Sequence, residues 1–153
     1  MQPQYPETLI SQNEQSSESG RSTLDAARDK ELRTVCLVDD DPSVLKATGR
    51  LLSSAGWEVE GFSDPTAFLD YAGEAKPHVV VVDIRMPIMD GFEVQKRLRT
   101  ISPNTKVVIL TSADDPAVRA RVMDAGACGF LLKPVRDHEL FAGIDAALSL
   151  TDR

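Results

Sequence analysis

Four short stretches carry residues that could do chemistry together. "LVDDD" sets Asp39, Asp40 and Asp41 directly behind an apolar run, and "VVVVD" does the same with Asp83. "VVILTS" ends in Thr111 and Ser112, and "GFLLKP" ends in Lys133 and Pro134. A carboxylate at the end of a buried run is costly unless something positive partners it. Oxygen donors clustered without histidine or cysteine suit a hard cation, Mg²⁺ or Mn²⁺, better than zinc. A Mg²⁺ that keeps several waters leaves room for a phosphoryl group, whose oxygens Lys133 and Thr111 can bind while charge develops. Carboxylates form acyl phosphates, which makes Asp83 the candidate nucleophile.

That chemistry requires elements that bring the four stretches to one place. "VCLV" (35–38), "WEVEGF" (57–62), "VVVV" (79–82), "KVVIL" (106–110) and "GFLL" (129–132) read as strands. Asp41-Pro42, Asp64-Pro65 and Asp115-Pro116 each put a capping residue ahead of a proline, which predicts three helix starts. The first helix runs to about Ala55 with Gly56 as its stop, the second to about Ala72, and the third of these is ended by Gly126. Gly91 to Thr100 reads as a further helix, with Phe92, Val94, Leu98 and Ile101 available to a core. Asp137 is expected to cap a last helix through about Leu148. Five successive βα units imply a parallel sheet with helices on both faces. All strands of such a sheet end at one edge, where three carboxylates, a hydroxyl and an ammonium converge.

Composition narrows the rest. The chain has 153 residues, enough for one domain, and a net charge of −7 that falls mainly in residues 34–153. That balance argues against a broad phosphate-binding face, and no basic stripe or helix-turn-helix segment follows Leu150, so direct nucleic-acid contact is not expected. No apolar run approaches a membrane span and no signal peptide opens the chain, so the expectation is a cytoplasmic protein without a membrane contact. Cys36 and Cys128 sit among apolar or small residues and read as buried, reduced thiols. Residues 1–33, rich in Gln, Ser, Glu and Pro at their start, read as a disordered extension in which Ser22 to Leu32 could form a short helix. The folded domain is expected over 34–150, with 151–153 as a tail. The starting Met1 favours a complete, stand-alone domain.

Taken together, "LVDDD", "VVVVDIRMPIMDG", "ILTSA" and "FLLKP" resemble the four signatures of the response-regulator receiver domain of two-component signalling, over about Thr34 to Leu150. The resemblance implies a doubly wound α/β fold of the flavodoxin-like, CheY-like type, with five parallel strands in the order 2-1-3-4-5 and five flanking helices. It implies that Asp40 holds Mg²⁺ (or Mn²⁺) directly and Asp39 through water, with Asp83 and the main-chain carbonyl of Arg85 completing the shell. Asp83 then accepts phosphate from a sensor histidine kinase or a histidine phosphotransfer protein. Lys133 bridges Asp83 and the phosphoryl group, Thr111 is the switch hydroxyl, Phe130 holds the switch aromatic position, and the Lys133-Pro134 bond is cis. Such a chain is a signalling phosphoprotein, not an enzyme, and catalyses only its own phosphorylation and dephosphorylation. Output is expected on the face of the fourth helix, fifth strand and fifth helix, where Arg119, Arg121, Arg136, Asp124 and Asp137 suit a homodimer or an acidic partner. Phe130 stands where the family often has Tyr, and Ser112 where a small residue, often Ala, is usual.

Other readings remain open at this point. The style of "GWEVEGFSDPTAFLD" and "FLLKPVRDHEL" resembles receivers fused to LuxR-type DNA-binding domains, so the chain could be the receiver part of a transcriptional regulator lacking its output domain, or a phosphorelay shuttle. A hydrolase of the haloacid-dehalogenase type also uses an Asp nucleophile and Mg²⁺, but expects an acid two residues later, where Arg85 stands. Several residues have plain structural readings. Asp41 is a helix cap, Asp90 before Gly91 a turn or cap residue, and Met86 and Met89 loop packing. His78 is structural, His138 solvated, and Trp57 packs beside the second strand.

Overall fold

Alternating apolar runs and proline-started helices build the elements in the expected order. The computed structural model describes residues 34–150; the expectations for 1–33 and 151–153 lie outside the described residues. In chain order the elements are β1 (Thr34–Val38), α1 (Pro42–Ser54), β2 (Glu58–Phe62), α2 (Pro65–Ala75), β3 (Val79–Val82), α3 (Gly91–Ile101), β4 (Lys106–Thr111), α4 (Pro116–Asp124), β5 (Gly129–Leu132) and α5 (Asp137–Ser149).

The three Asp-Pro pairs work as the spacing predicts. Asp41, Asp64 and Asp115 each accept the backbone N–H two residues on at 2.9 Å, with proline at the first helical position. Asp90 caps α3 by accepting from Glu93 N–H at 3.0 Å. α5 differs from expectation. Asp137 is its first helical residue and Arg136 holds the cap position. An arginine side chain has no acceptor, so the Glu139 carboxylate reaches back to the Arg136 N–H at 3.2 Å instead.

Helix ends follow backbone needs. Gly56 and Gly126, at φ 96° and 104°, close α1 and α4. Trp57 is not yet strand, because its N–H still bonds to the Leu52 carbonyl at 3.0 Å. α2 runs three residues beyond expectation and ends on Lys76 at φ 49°, a left-handed conformation taken by a non-glycine residue. The Lys76 ammonium donates to the Ile101 carbonyl in the last residue of α3, where a cation suits the helix C-terminus.

All five strands pair in parallel in the order β2-β1-β3-β4-β5. Successive side chains point to opposite faces, and two cores result. Val35, Leu37, Val79, Val81, Val108 and Leu110 pack with Leu52, Leu140 and Ile144 of α1 and α5. On the other face Cys36, Val38, Val80, Val82 and Ile109 pack with side chains of α2, α3 and α4, among them Phe68, Leu98 and Val122. Each large side chain buried in this way contributes about 1.5–3 kcal/mol. Val94 and Leu98 of α3 are buried as expected, while Phe92 and Ile101 are packed against the core but partly exposed. Cys36 is fully buried; burial, with the charge of Glu60, pushes its thiol up to about 12. Cys128 is only half-buried, since it precedes β5 in a turn. Among the described residues no helix is long and apolar enough to cross a membrane.

Candidate functional site

The register of the sheet decides which residues meet. β1 and β3 are neighbours, and Val38 is level with Val82, so Asp39 and Asp83 leave adjacent strands side by side. The Asp83 N–H extends the ladder by donating to the Val38 carbonyl at 3.0 Å, and the Asp39 N–H donates to Phe62 at 3.1 Å. On the other side Thr111 is level with Leu132, and the Lys133 N–H donates to the Thr111 carbonyl at 2.9 Å. Lys133 therefore sits two strand positions from β3, with β4 between them, and its long side chain crosses the end of β4. Its ammonium reaches Asp83 Oδ2 at 3.0 Å and Asp39 Oδ2 at 2.6 Å.

Both carboxylates are nearly enclosed, Asp39 at 5% and Asp83 at 8% exposure, while Asp40 is exposed. Acidic oxygens of Asp39, Asp40 and Asp83 lie within 4.8 Å of one another. Burial works against the Lys133 ammonium, but the hydrogen bonds and charges of Asp39 and Asp83 outweigh it and hold its pKa above the ordinary lysine value. Asp41 stays out of the cluster as a side chain, being turned to its cap, but its N–H donates to Asp39 Oδ1 at 3.0 Å and orients that carboxylate. Arg85 is exposed, with its N–H 3.4 Å from Asp83 Oδ1. Thr111 is fully buried and its hydroxyl oxygen accepts the Ala113 N–H at 3.3 Å; Ser112 beside it is exposed. The Lys133-Pro134 bond is cis, as the resemblance implies. Three carboxylates with no nitrogen or sulfur donor among them fit Mg²⁺ or Mn²⁺.

Phe130 is partly buried against the α2–α4 side of the core, with the Arg119 guanidinium 5.5 Å from its ring centre. Arg121 is exposed on α4, as expected, and its guanidinium also lies 3.6 Å over the Phe92 ring of α3. His138 is exposed, while half-buried His78 precedes β3 with its Nδ1 unpartnered.

Two contributors were not apparent from the sequence as functional. The first is the short Lys133–Asp39 contact, which joins residues 94 apart. The second is Gly91. Its N–H donates to the Ile84 carbonyl at 2.8 Å, and a Cβ there would lie 2.8 Å from both the Asp83 carbonyl oxygen and Ile84 Cα. The "DG" pair was the available signal, and it points to a turn without showing what the turn packs against.

Residues 35–145 match the family described as the response regulator receiver domain. The chain belongs to that family. The receiver is 34% identical over 116 residues to response regulator protein TmoT of Ectopseudomonas mendocina, covering 76% of this chain and 53% of that one. It is 37% identical over 117 residues to response regulator MprA of Mycobacterium sp. (strain KMS), covering 76% and 51%. It thus spans about half the length of these curated relatives. Among solved structures, a receiver domain protein from Clostridium thermocellum superposes with a TM-score of 0.74 at 29% identity, covering 78% of this chain and 96% of that one. Vibrio cholerae chemotaxis protein CheY4 does so at 0.70 and 32%, covering 74% and 97%. The receiver is accordingly a phosphoacceptor module of two-component signalling, which sets aside the hydrolase reading.

Proposed function

We propose that the receiver takes a phosphoryl group onto a carboxylate oxygen of Asp83 from the phosphohistidine of a sensor histidine kinase or a histidine phosphotransfer protein. The observation that carries this is the position of Asp83, which ends the central strand beside a lysine ammonium at 3.0 Å and two further carboxylates. The Asp83 oxygen attacks phosphorus, the new O–P bond forms, and the P–N bond breaks with its electron pair returning to the imidazole nitrogen. Lys133 is placed to bind a phosphoryl oxygen as the Asp83 charge is spent, while Asp39 keeps the ammonium aimed at the site. Asp39, Asp40, Asp83 and the Arg85 main-chain carbonyl would hold Mg²⁺ or Mn²⁺, which when bound supplies positive charge to the phosphoryl oxygens. Thr111, buried at the end of β4, offers its hydroxyl to the same group.

Output is proposed on the face of α4, β5 and α5. Arg119, Arg121, Arg136, Asp124 and Asp137 are exposed there and give it both charge signs, which suits a self-complementary dimer. Movement of Thr111 toward the phosphoryl group would open space beside Phe130, and a difference of a few kcal/mol between two rotamer states suffices for a switch.

The test is radiolabel transfer from a phosphorylated kinase to the wild type and to Asp83→Asn, whose amide keeps the shape but cannot attack phosphorus. No label on the variant is expected, and labelling at the wild-type rate would sink the assignment. Size-exclusion chromatography with and without a beryllofluoride mimic addresses the face. Unchanged mass and unchanged exchange protection of Val118 to Phe130 would favour a phosphate shuttle.

A further inference from the structure

Asp83 is 8% exposed, yet Ile88, five residues on, is 75% exposed, far above the 39% of the other exposed large apolar side chains among the described residues. The loop around it is anchored. Ile84 and Met86 are buried, and Met89 packs against the α2–α4 side of the core. Its two ends are tied by the Gly91 N–H on the Ile84 carbonyl at 2.8 Å, and Asp90 caps α3. With the residues on either side of the Pro87-Ile88 pair packed inward, the isoleucine is left facing solvent. Gly91, whose backbone lies against the Asp83 carbonyl, is three positions further on, so the Ile88 Cα stays within about 11 Å of the Gly91 Cα.

A lone exposed isoleucine elsewhere on a surface calls for no explanation. Here its position supplies one. A protein that carries phosphohistidine to a recessed carboxylate has to approach the rim of the site, where an apolar side chain facing solvent offers it a surface to bury. Pro87, Pro134 and Pro42 are also exposed on the loops and helix start around that edge, with Asp40, Asp41 and Asp90 between them and Arg85 interrupting the acidic rim. An apolar point within an acidic rim fits the anatomy of a small, specific interface, a desolvated contact surrounded by charge.

We propose that Ile88 is a docking residue for the phosphodonor protein, seated in an apolar depression beside the donor's phosphohistidine and ringed there by basic side chains. The proposal rests on Asp83 being the acceptor. It assigns Ile88 no part in the phosphoryl chemistry, only in recognition of the macromolecule that brings the group.

The test compares two donors on Ile88→Ser and Ile88→Leu. One is a purified phosphorylated histidine-kinase core that labels the wild type; the other is phosphoramidate, a small donor with the same P–N bond and no surface to dock. Ile88→Ser is expected to lower kcat/KM for the kinase by about tenfold to a hundredfold, chiefly through KM. Ile88→Leu is expected to recover most of it, and phosphoramidate labelling is expected to be unchanged in both. Kinase transfer to Ile88→Ser at the wild-type rate overturns the proposal. Equal slowing with both donors also overturns it, since Ile88 would then act on the site itself. Phosphoramidate labelling that persists in Asp83→Asn would instead bring down the acceptor assignment, so the two failures are distinguishable.

Discussion

The Lys133 ammonium lies 2.6 Å from Asp39 Oδ2, closer than the 3.0 Å that separates it from the proposed acceptor Asp83. One cation therefore holds two enclosed carboxylates of neighbouring strands together. Replacing it with the similarly long, uncharged side chain in Lys133→Met leaves those carboxylates facing one another, at a cost of about 2 kcal/mol near neutral pH. The folded-state pKa of Lys133 is raised above 10.5, so its stabilisation is fully present below that value and is lost as pH climbs through the folded pKa. Thermal melts of wild type and variant should differ by a constant amount from about pH 7 to pH 10, and the gap should narrow above it. A gap that already closes near neutral pH would contradict the arrangement.

Asp40 and Asp41 are adjacent and both exposed, yet only Asp40 belongs to the carboxylate cluster. Calorimetric titration with Mg²⁺ should show binding lost in Asp40→Ala and kept in Asp41→Ala. The second variant should instead lose about 1 kcal/mol of stability, because it removes the α1 cap. Without metal the clustered carboxylates repel, so Asp40→Ala is expected to melt no lower than wild type. The reverse pattern of Mg²⁺ binding would refute the ligand assignment.

Gly91→Ala inserts a methyl group 2.8 Å from the Asp83 carbonyl oxygen and from Ile84 Cα, both backbone atoms with little room to yield. The expected cost is about 1–3 kcal/mol, with slower labelling of Asp83 because the strand end that carries it must shift. Urea unfolding and a labelling time course measure the two effects. A variant with wild-type stability would show that the loop can relax around the methyl.

Gln95 is 2% exposed on α3, and its Nε2 donates to the Val122 carbonyl of α4 at 3.2 Å. That carbonyl also accepts the Ala127 N–H at 3.0 Å, while Gln95 Oε1 is buried without a partner among the described residues. Gln95→Leu removes the orphaned acceptor and leaves Val122 satisfied. The variant is expected to be as stable as wild type or more stable by about 1 kcal/mol, measured by urea unfolding. A loss above about 2 kcal/mol would mean that the amide tie between the two helices outweighs the orphan.

Much of this was legible in the sequence because local rules carried it. Asp-Pro pairs announce helix starts through one hydrogen bond and one fixed dihedral, and βα alternation implies a sheet whose edge gathers Asp39, Asp83, Thr111 and Lys133. What stayed hidden depends on register or on contacts between distant segments. Nothing in "FLLKP" says that Lys133 will meet Asp39 before Asp83, since that follows from the level at which β4 and β5 pair. Gln95 shows no signal beyond being polar on an amphipathic helix, and nothing in the sequence places the Phe92 ring beneath the exposed Arg121 guanidinium. The start of α5 was misplaced because Asp137 looks like a cap, whereas Glu139 provides the return contact to Arg136.

The placement of Lys133 at the end of the last strand bears on a chain still being synthesised. Lys133 trails Asp39 by 94 residues and Asp83 by 50, so every carboxylate of the site leaves the ribosome before the ammonium that joins them. Until β5 is laid along β4, the like charges at the ends of β1 and β3 lack the Lys133 ammonium, and the sheet lacks one of its two edge strands. Contacts between such distant segments form late, because loop closure must precede them. A molecule cut short before Lys133 therefore has Asp39 and Asp83 without the ammonium that joins them, and the cluster is tied together only once β5 has been added.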